Sequence, residues 1–101
     1  MAQLSIELPH TLGKEDVIQR VKAECEKLRP SVTDLQDEWV DNILNFRFEA
    51  MGMKVSGSLE ILDTLVRIRI DLPMAALMFK GMIEKRIRAE VGGLLTQEEP
   101  R

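Results

Sequence analysis

The 101-residue chain has one cysteine, one histidine and four aromatic residues, three Phe and one Trp, with no Tyr. Each scarcity excludes something. A single cysteine, Cys25, cannot build an internal disulfide framework and fits a reducing compartment. A single histidine, His10, leaves no ligand cluster at metal-binding spacing, and no neighbouring motif supplies the acid or nucleophile a general base would need. No long uncharged apolar run is present, so no segment reads as a membrane span. Met1 to Ser5 have neither the basic start nor the apolar stretch of an export signal, and the chain reads as cytoplasmic. The net charge is −3, and the bases are interleaved with acids, as in Glu84-Lys85-Arg86-Ile87-Arg88-Ala89-Glu90, which argues against nucleic-acid binding. Gly52, Gly57, Gly81, Gly92 and Gly93 match no phosphate-cradling loop, and no cofactor motif appears.

What is present is the pattern of a small globular protein. Hydrophobic residues at 45% and charged residues at 31% suit one soluble domain over residues 1–95, followed by a loose tail over 96–101. Val66, Ile68, Ile70 and Leu72 alternate with Arg67, Arg69 and Asp71, the two-residue period of a half-buried strand. Leu4, Ile6 and Leu8 give a shorter strand ended by Pro9. Thr11 is a plausible cap for a first helix whose apolar stripe is Val17, Val21, Cys25 and Leu28, and Arg29-Pro30 ends it. Ser31 to Asp34 read as loop.

The central strands can be set in register from their turns. Asp41-Asn42 is a two-residue turn that puts Trp39 opposite Leu44 on the inner face and Val40 opposite Ile43 on the outer. A turn at Met51-Gly52 sets Phe48 against Val55, Phe46 against Gly57 and Glu49 against Lys54. The Phe46 ring then covers the missing side chain of Gly57. A third turn, Leu62 to Leu65, pairs Ile61 with Val66, Leu59 with Ile68, Val55 with Leu72 and Glu60 with Arg67. Extending the Trp39 strand backwards would point Asp37 inward, so that strand is expected to be short or bulged.

Leu72-Pro73 leads into a helical segment from Met74 to Leu95. On a 3.6-residue wheel Ala76, Phe79, Ile83, Ile87 and Leu94 share the face that should meet the sheet, while Met74, Leu77, Met78 and Met82 fall largely on the other. The expected fold is therefore α+β, two layers: a curved antiparallel sheet of four to five strands with two helices on one face, in the order β-α-β-β-β-β-α. Trp39, Phe46, Phe48 and Phe79 are expected to fill the interior.

Several of these pieces, taken together, resemble a known family. His10-x-Leu12-Gly13 follows the first strand, Trp39 precedes a turn and Leu44-x-Phe46, and Leu72-Pro73 leads into Phe79-Lys80-x-x-Ile83-Glu84. In order and spacing they resemble the polyhydroxyalkanoic acid system proteins, small bacterial proteins associated with storage-polyester metabolism, over roughly residues 3 to 95. The resemblance implies a reduced helix-grip or START-like fold, a curved sheet gripping a long C-terminal helix, and a role at or near the polymer granule. It carries over no catalytic residue, cofactor or substrate. Gly92-Gly93 stand where relatives carry stronger helix formers, which leaves the exact end of the helix, near Val91, open.

The candidate site is rich in methionine. Met51 and Met53 sit at a hairpin tip, Met74, Met78 and Met82 lie on the second helix, and the register brings the two groups to one end of the sheet. Methionine is flexible and polarizable and is over-used on adaptable apolar surfaces. With Leu77 these residues form a candidate apolar patch for a polyester granule, a hydrophobic ligand or a second copy of the chain. The plainer alternative is that the first helix covers Leu77 and Met78 and leaves an ordinary core edge. Lys80, beside the core stripe, reads as a stem laid on the sheet with its ammonium in water. His10 reads as a capping or structural hydrogen-bonding residue, and Cys25 as a small buried hydrophobe. Functionally the chain reads as a non-enzymatic accessory protein of the polyhydroxyalkanoate system. The alternative is a small START-like carrier holding an acyl chain between sheet and long helix, which would need an internal cavity of roughly 300 Å3 or more. A structural homodimer built on Leu77, Met78 and Met82 is the third reading.

Overall fold

The computed structural model describes residues 2–50 and 52–95. Strand β1 (Ala2–Pro9) is followed by helix α1 (Lys14–Leu28), a 3-10 turn at Arg29–Ser31, and strands β2 (Thr33–Val40), β3 (Ile43–Ala50), β4 (Met53–Ile61) and β5 (Leu65–Leu72). A second 3-10 segment, Met74–Phe79, then leads into helix α2 (Lys80–Leu94). The five strands form one open, fully antiparallel sheet in the order β1-β5-β4-β3-β2, with both helices on one face. The fold is α+β in two layers.

The core follows from strand parity. Leu4 and Ile6 of β1, Val66, Ile68, Ile70 and Leu72 of β5, Leu59 and Ile61 of β4 and Leu44 of β3 all point to the helical side and are buried. Val17, Ile18 and Val21 of α1, with Ala76 and Leu95, close the core from the other layer. Along α1 burial fades, so Cys25 is half-buried and Leu28, assigned to the stripe by its spacing, is 48% exposed.

The turns hold the register. Asp41 adopts a left-handed φ of 55°, which Asp tolerates better than most residues, and Gly52 adopts 76°. The Asn42 side-chain amide donates to the Ile61 carbonyl at 2.6 Å, while the Ile61 N–H donates to the Asn42 carbonyl at 2.9 Å. The β2–β3 turn is thereby stitched to the end of β4. Trp39 faces Leu44, Phe46 faces Gly57, Phe48 faces Val55 and Leu59 faces Ile68, as the turn spacing requires. The β4–β5 ladder ends at Ser56 and Asp71, one step short of the expected Val55–Leu72 pair.

Some expectations are corrected. Strand β2 is not short, at eight residues, but it does carry the irregularity expected as the alternative, with Asp37 itself in register opposite Phe46. The irregularity lies upstream, between Thr33 and Gln36, where Asp34 has a φ of 54°. Asp37 is tolerated because Arg29 donates to its carboxylate at 3.2 Å. The residue at the start of helix α1 is Gly13 (φ 92°), whose carbonyl accepts from the Val17 N–H at 3.2 Å, and not the expected Thr11, because the chain turns at the glycine. The segment after Pro73 is not one helix but a 3-10 turn and an α-helix. They meet at Phe79, whose φ of −102° and ψ of 9° break the phase and leave it 45% exposed instead of facing the sheet. The helix end left open by Gly92-Gly93 lies where the apolar pattern runs out: α2 continues through both glycines to Leu94, with Leu95 buried and Arg20 donating to the Leu94 carbonyl at 3.1 Å. The expected tail over 96–101 lies outside the described residues.

Gly57 is the tightest point of the sheet. A Cβ there would collide with the backbone carbonyl oxygen of Arg69 and meet Cζ of the Phe46 ring at 3.0 Å. The Gly57→Ala variant is therefore expected to lose about 1–3 kcal/mol or more in urea unfolding. Gly81→Ala, with open space around the added methyl, should leave stability equal or slightly higher.

Candidate functional site

The candidate surface begins where β5 ends. Pro73 holds an extended ψ of 156°, and the Ala76 N–H turns back to its carbonyl at 2.9 Å, opening a 3-10 segment. This tight turn sends Ala76 into the core at 1% exposure and leaves its neighbours outside. Met74 is 67% exposed, Leu77 42%, Met78 84%, Phe79 45% and Met82 65%. Beyond Met82 the exposed side of α2 becomes charged, with Arg88 bonded to Glu84 at 3.0 Å and Arg86 to Glu90 at 3.1 Å. The apolar stretch is bounded on that side.

Of the six residues singled out from the sequence, Met74, Leu77, Met78 and Met82 stand exposed within nine positions of chain. Helix α1 does not cover Leu77 or Met78. Met53 is half-buried and packs against the core instead. Met51 lies outside the described residues. Phe79 joins the exposed group, which the helical wheel could not show because the wheel assumes a single unbroken period.

The chemistry-bearing side chains have structural tasks. His10 is buried, its Nε2 donates to the Leu62 carbonyl at 2.8 Å, and its Nδ1 accepts from the Leu12 N–H at 3.2 Å. Its own backbone N–H donates to the Thr64 carbonyl at 2.9 Å. The ring thus braces the β1–α1 connector against the β4–β5 turn. Both ring nitrogens are engaged. Burial, followed by the nearby Asp37 carboxylate, pushes the Cys25 thiol above its ordinary value of 9.0, the reverse of what an activated nucleophile needs. Lys80 opens α2 half-buried. Among the described residues no three His, Cys, Asp or Glu side chains gather as metal ligands would.

A wide groove of about 740 Å3 lies not between sheet and helices but across the outward face of the sheet. It is open and walled by polar side chains such as Asn45, Ser56 and Ser58. That is not the apolar sheath an acyl carrier would present.

The architecture is thus a two-layer α+β domain with an exposed methionine-rich corner, in which no helix among the described residues is long and apolar enough to cross a membrane. The chain belongs to the family described as "Putative polyhydroxyalkanoic acid system protein", which matches residues 4–95. No curated protein and no solved structure matches it. The family ties the chain to the polyhydroxyalkanoate system.

Two expected outcomes test these assignments. His10→Ala leaves a partly buried carbonyl and a partly buried N–H without the ring and should cost about 1–3 kcal/mol in urea unfolding. For Cys25 the folded-state value is raised, so folding favours the neutral thiol. That contribution is intact below the ordinary value of 9.0 and is lost as pH rises through the higher folded value. Labelling by a chromogenic disulfide at pH 8 should therefore be slower in the native chain than in denaturant. The stability loss above pH 9 should be smaller in Cys25→Ala than in the parent protein.

Proposed function

We propose that the protein is a non-enzymatic, cytoplasmic accessory factor of the polyhydroxyalkanoate system that rests on the storage polyester through its methionine-rich corner. The observation that carries this reading is the group Met74, Leu77, Met78, Phe79 and Met82, five large apolar side chains exposed within nine residues. Large apolar side chains gathered this densely on a surface mark an interaction site. An amorphous polymer offers no fixed shape to match. Flexible, unbranched methionine side chains suit such a surface better than a rigid interlocking patch would. Membership of a family tied to the polyhydroxyalkanoic acid system supports an apolar polyester as that partner. The non-enzymatic reading is supported by the two residues best able to carry chemistry, since the His10 ring is fully engaged and Cys25 is held toward its neutral form.

The test is cosedimentation of the purified protein with polyhydroxybutyrate particles, together with its mass by analytical ultracentrifugation. The parent protein should bind the particles as a monomer. The triple variant Met74→Ser, Met78→Ser, Met82→Ser should bind about tenfold more weakly or worse, a loss of about 1.4 kcal/mol for each tenfold. Its urea stability should change by less than about 1 kcal/mol, because these side chains are already exposed. Equal binding by the variant would overturn the proposal. So would a parent protein that is a stable dimer which the triple variant dissociates, because the corner would then be covered by a second copy.

A further inference from the structure

The outward face of the sheet carries an imbalance in its charges. Among the described residues Arg20, Arg29, Arg67, Arg86 and Arg88 each bond to a carboxylate. Arg47 and Arg69 do not, and both line the groove. The contrast is sharpest along β5. Arg67 sits between Glu7 of β1 and Glu60 of β4 and bonds to both, at 3.0 and 3.2 Å. Two residues further on, on the same face, Arg69 sits between Ser5 and Ser58, which offer hydroxyls in place of carboxylates. Arg47 of β3 lies opposite Ser56 on one side, and on the other its guanidinium is steadied by the neutral amide oxygen of Gln36 at 2.6 Å.

Strand β4 runs between the two arginines and contributes Ser56 and Ser58, so small hydroxyl side chains form the floor between them. By ordinary sheet spacing the Arg47 and Arg69 backbones are about 12 Å apart, within reach of one small anion held over β4. The guanidinium fork matches a carboxylate, and the serines and Asn45 can hydrogen-bond a neighbouring hydroxyl. Glu38 and Asp71 also line the groove, as does Asp37, whose carboxylate is paired with Arg29. Their charge, with the net −3 of the chain, selects against polyanions and leaves a small monoanion as the fitting occupant.

We infer that this groove is a binding site for a small hydroxycarboxylate, with Arg69 and Arg47 holding the carboxylate and Ser56, Ser58 and Asn45 receiving the hydroxyl. The arginines carry the carboxylate part alone. The choice of a hydroxy acid also rests on the reading of the chain as part of a system that handles a polyester of such acids.

The test is amide and arginine side-chain NMR of the full chain titrated with 3-hydroxybutyrate, butyrate and inorganic phosphate. Saturable shifts at Arg47, Ser58 and Arg69 with 3-hydroxybutyrate are expected, with butyrate several-fold weaker and phosphate not saturating. Arg69→Gln should weaken binding about tenfold, and Arg69→Lys, which keeps the charge without the fork, should fall between. Spectra of the free variants should overlay the parent away from β5, so a loss of binding is not a loss of fold. Absence of saturation, unchanged affinity in Arg69→Gln, or shifts confined to Met74–Met82 would overturn the site. Phosphate binding as tightly as the carboxylates would overturn the ligand class. The serine triple variant at the methionine corner should keep full 3-hydroxybutyrate affinity, so the failure of polymer binding and the failure of groove binding are separate results.

Discussion

Strand β5 is the constraint on which the rest depends. It is paired on both sides, to β1 and β4, and its strict alternation sends Val66, Ile68, Ile70 and Leu72 to one face and Arg67, Arg69 and Asp71 to the other. A slip of one residue would exchange the two sets entirely. The apolar set demands a covering layer, which α1 and α2 supply. The polar set leaves the opposite face open to water. Glu7 and Glu60 add a charge-based check at Arg67, since only one register brings both to the same guanidinium.

The row through Gly57 shows how closely the sheet is drawn together. In register across the strands lie Leu4, Ile70, Gly57, Phe46 and Asp37, all on the helical side. At the β1 end the row is buried aliphatic packing, and in the middle it is a ring over a glycine. At the β2 end it is a carboxylate, which Arg29 neutralises from the end of α1. Apolar cover thus gives way to an ion pair where the helices reach the edge of the sheet. The cation–π contact of Lys22 with Trp39, at 5.5 Å, belongs to the same margin.

The elements that were legible in the sequence are those governed by short-range rules. A two-residue turn and a two-residue period together specify a register, and so the β2–β3, β3–β4 and β4–β5 ladders follow from Asp41-Asn42, Gly52 and the Leu62–Leu65 connection. The features that escaped depend on contacts between distant positions. The hydrogen bond of His10 to Leu62 spans 52 residues and ties down the connector that leads to Gly13. The partner of Asp37 lies on another element. The break at Phe79 escaped for a different reason, because six residues are too few to tell a period of 3.0 from 3.6. The methionine corner was legible as a surplus of apolar side chains, but not the membership of Phe79 or the retreat of Met53 into the core. The groove was implicit in the strand register, yet visible only once β1 was known to flank β5 and Ser5, not an acid, stood beside Arg69.

The placement of the two surfaces has a consequence of its own. The segment Met74–Phe79 anchors Ala76 among core residues, so the methionine corner belongs to the helical layer, whereas the groove belongs to the far face of the sheet. A chain resting on an apolar surface through its helical side therefore turns Arg47 and Arg69 toward solution. The sheet is the rigid spacer between them, held by ladders on every internal strand, and neither surface can occlude the other. The two need not compete for one occupant, which is the arrangement expected if a polymer is held on one side while small hydrophilic molecules are met on the other.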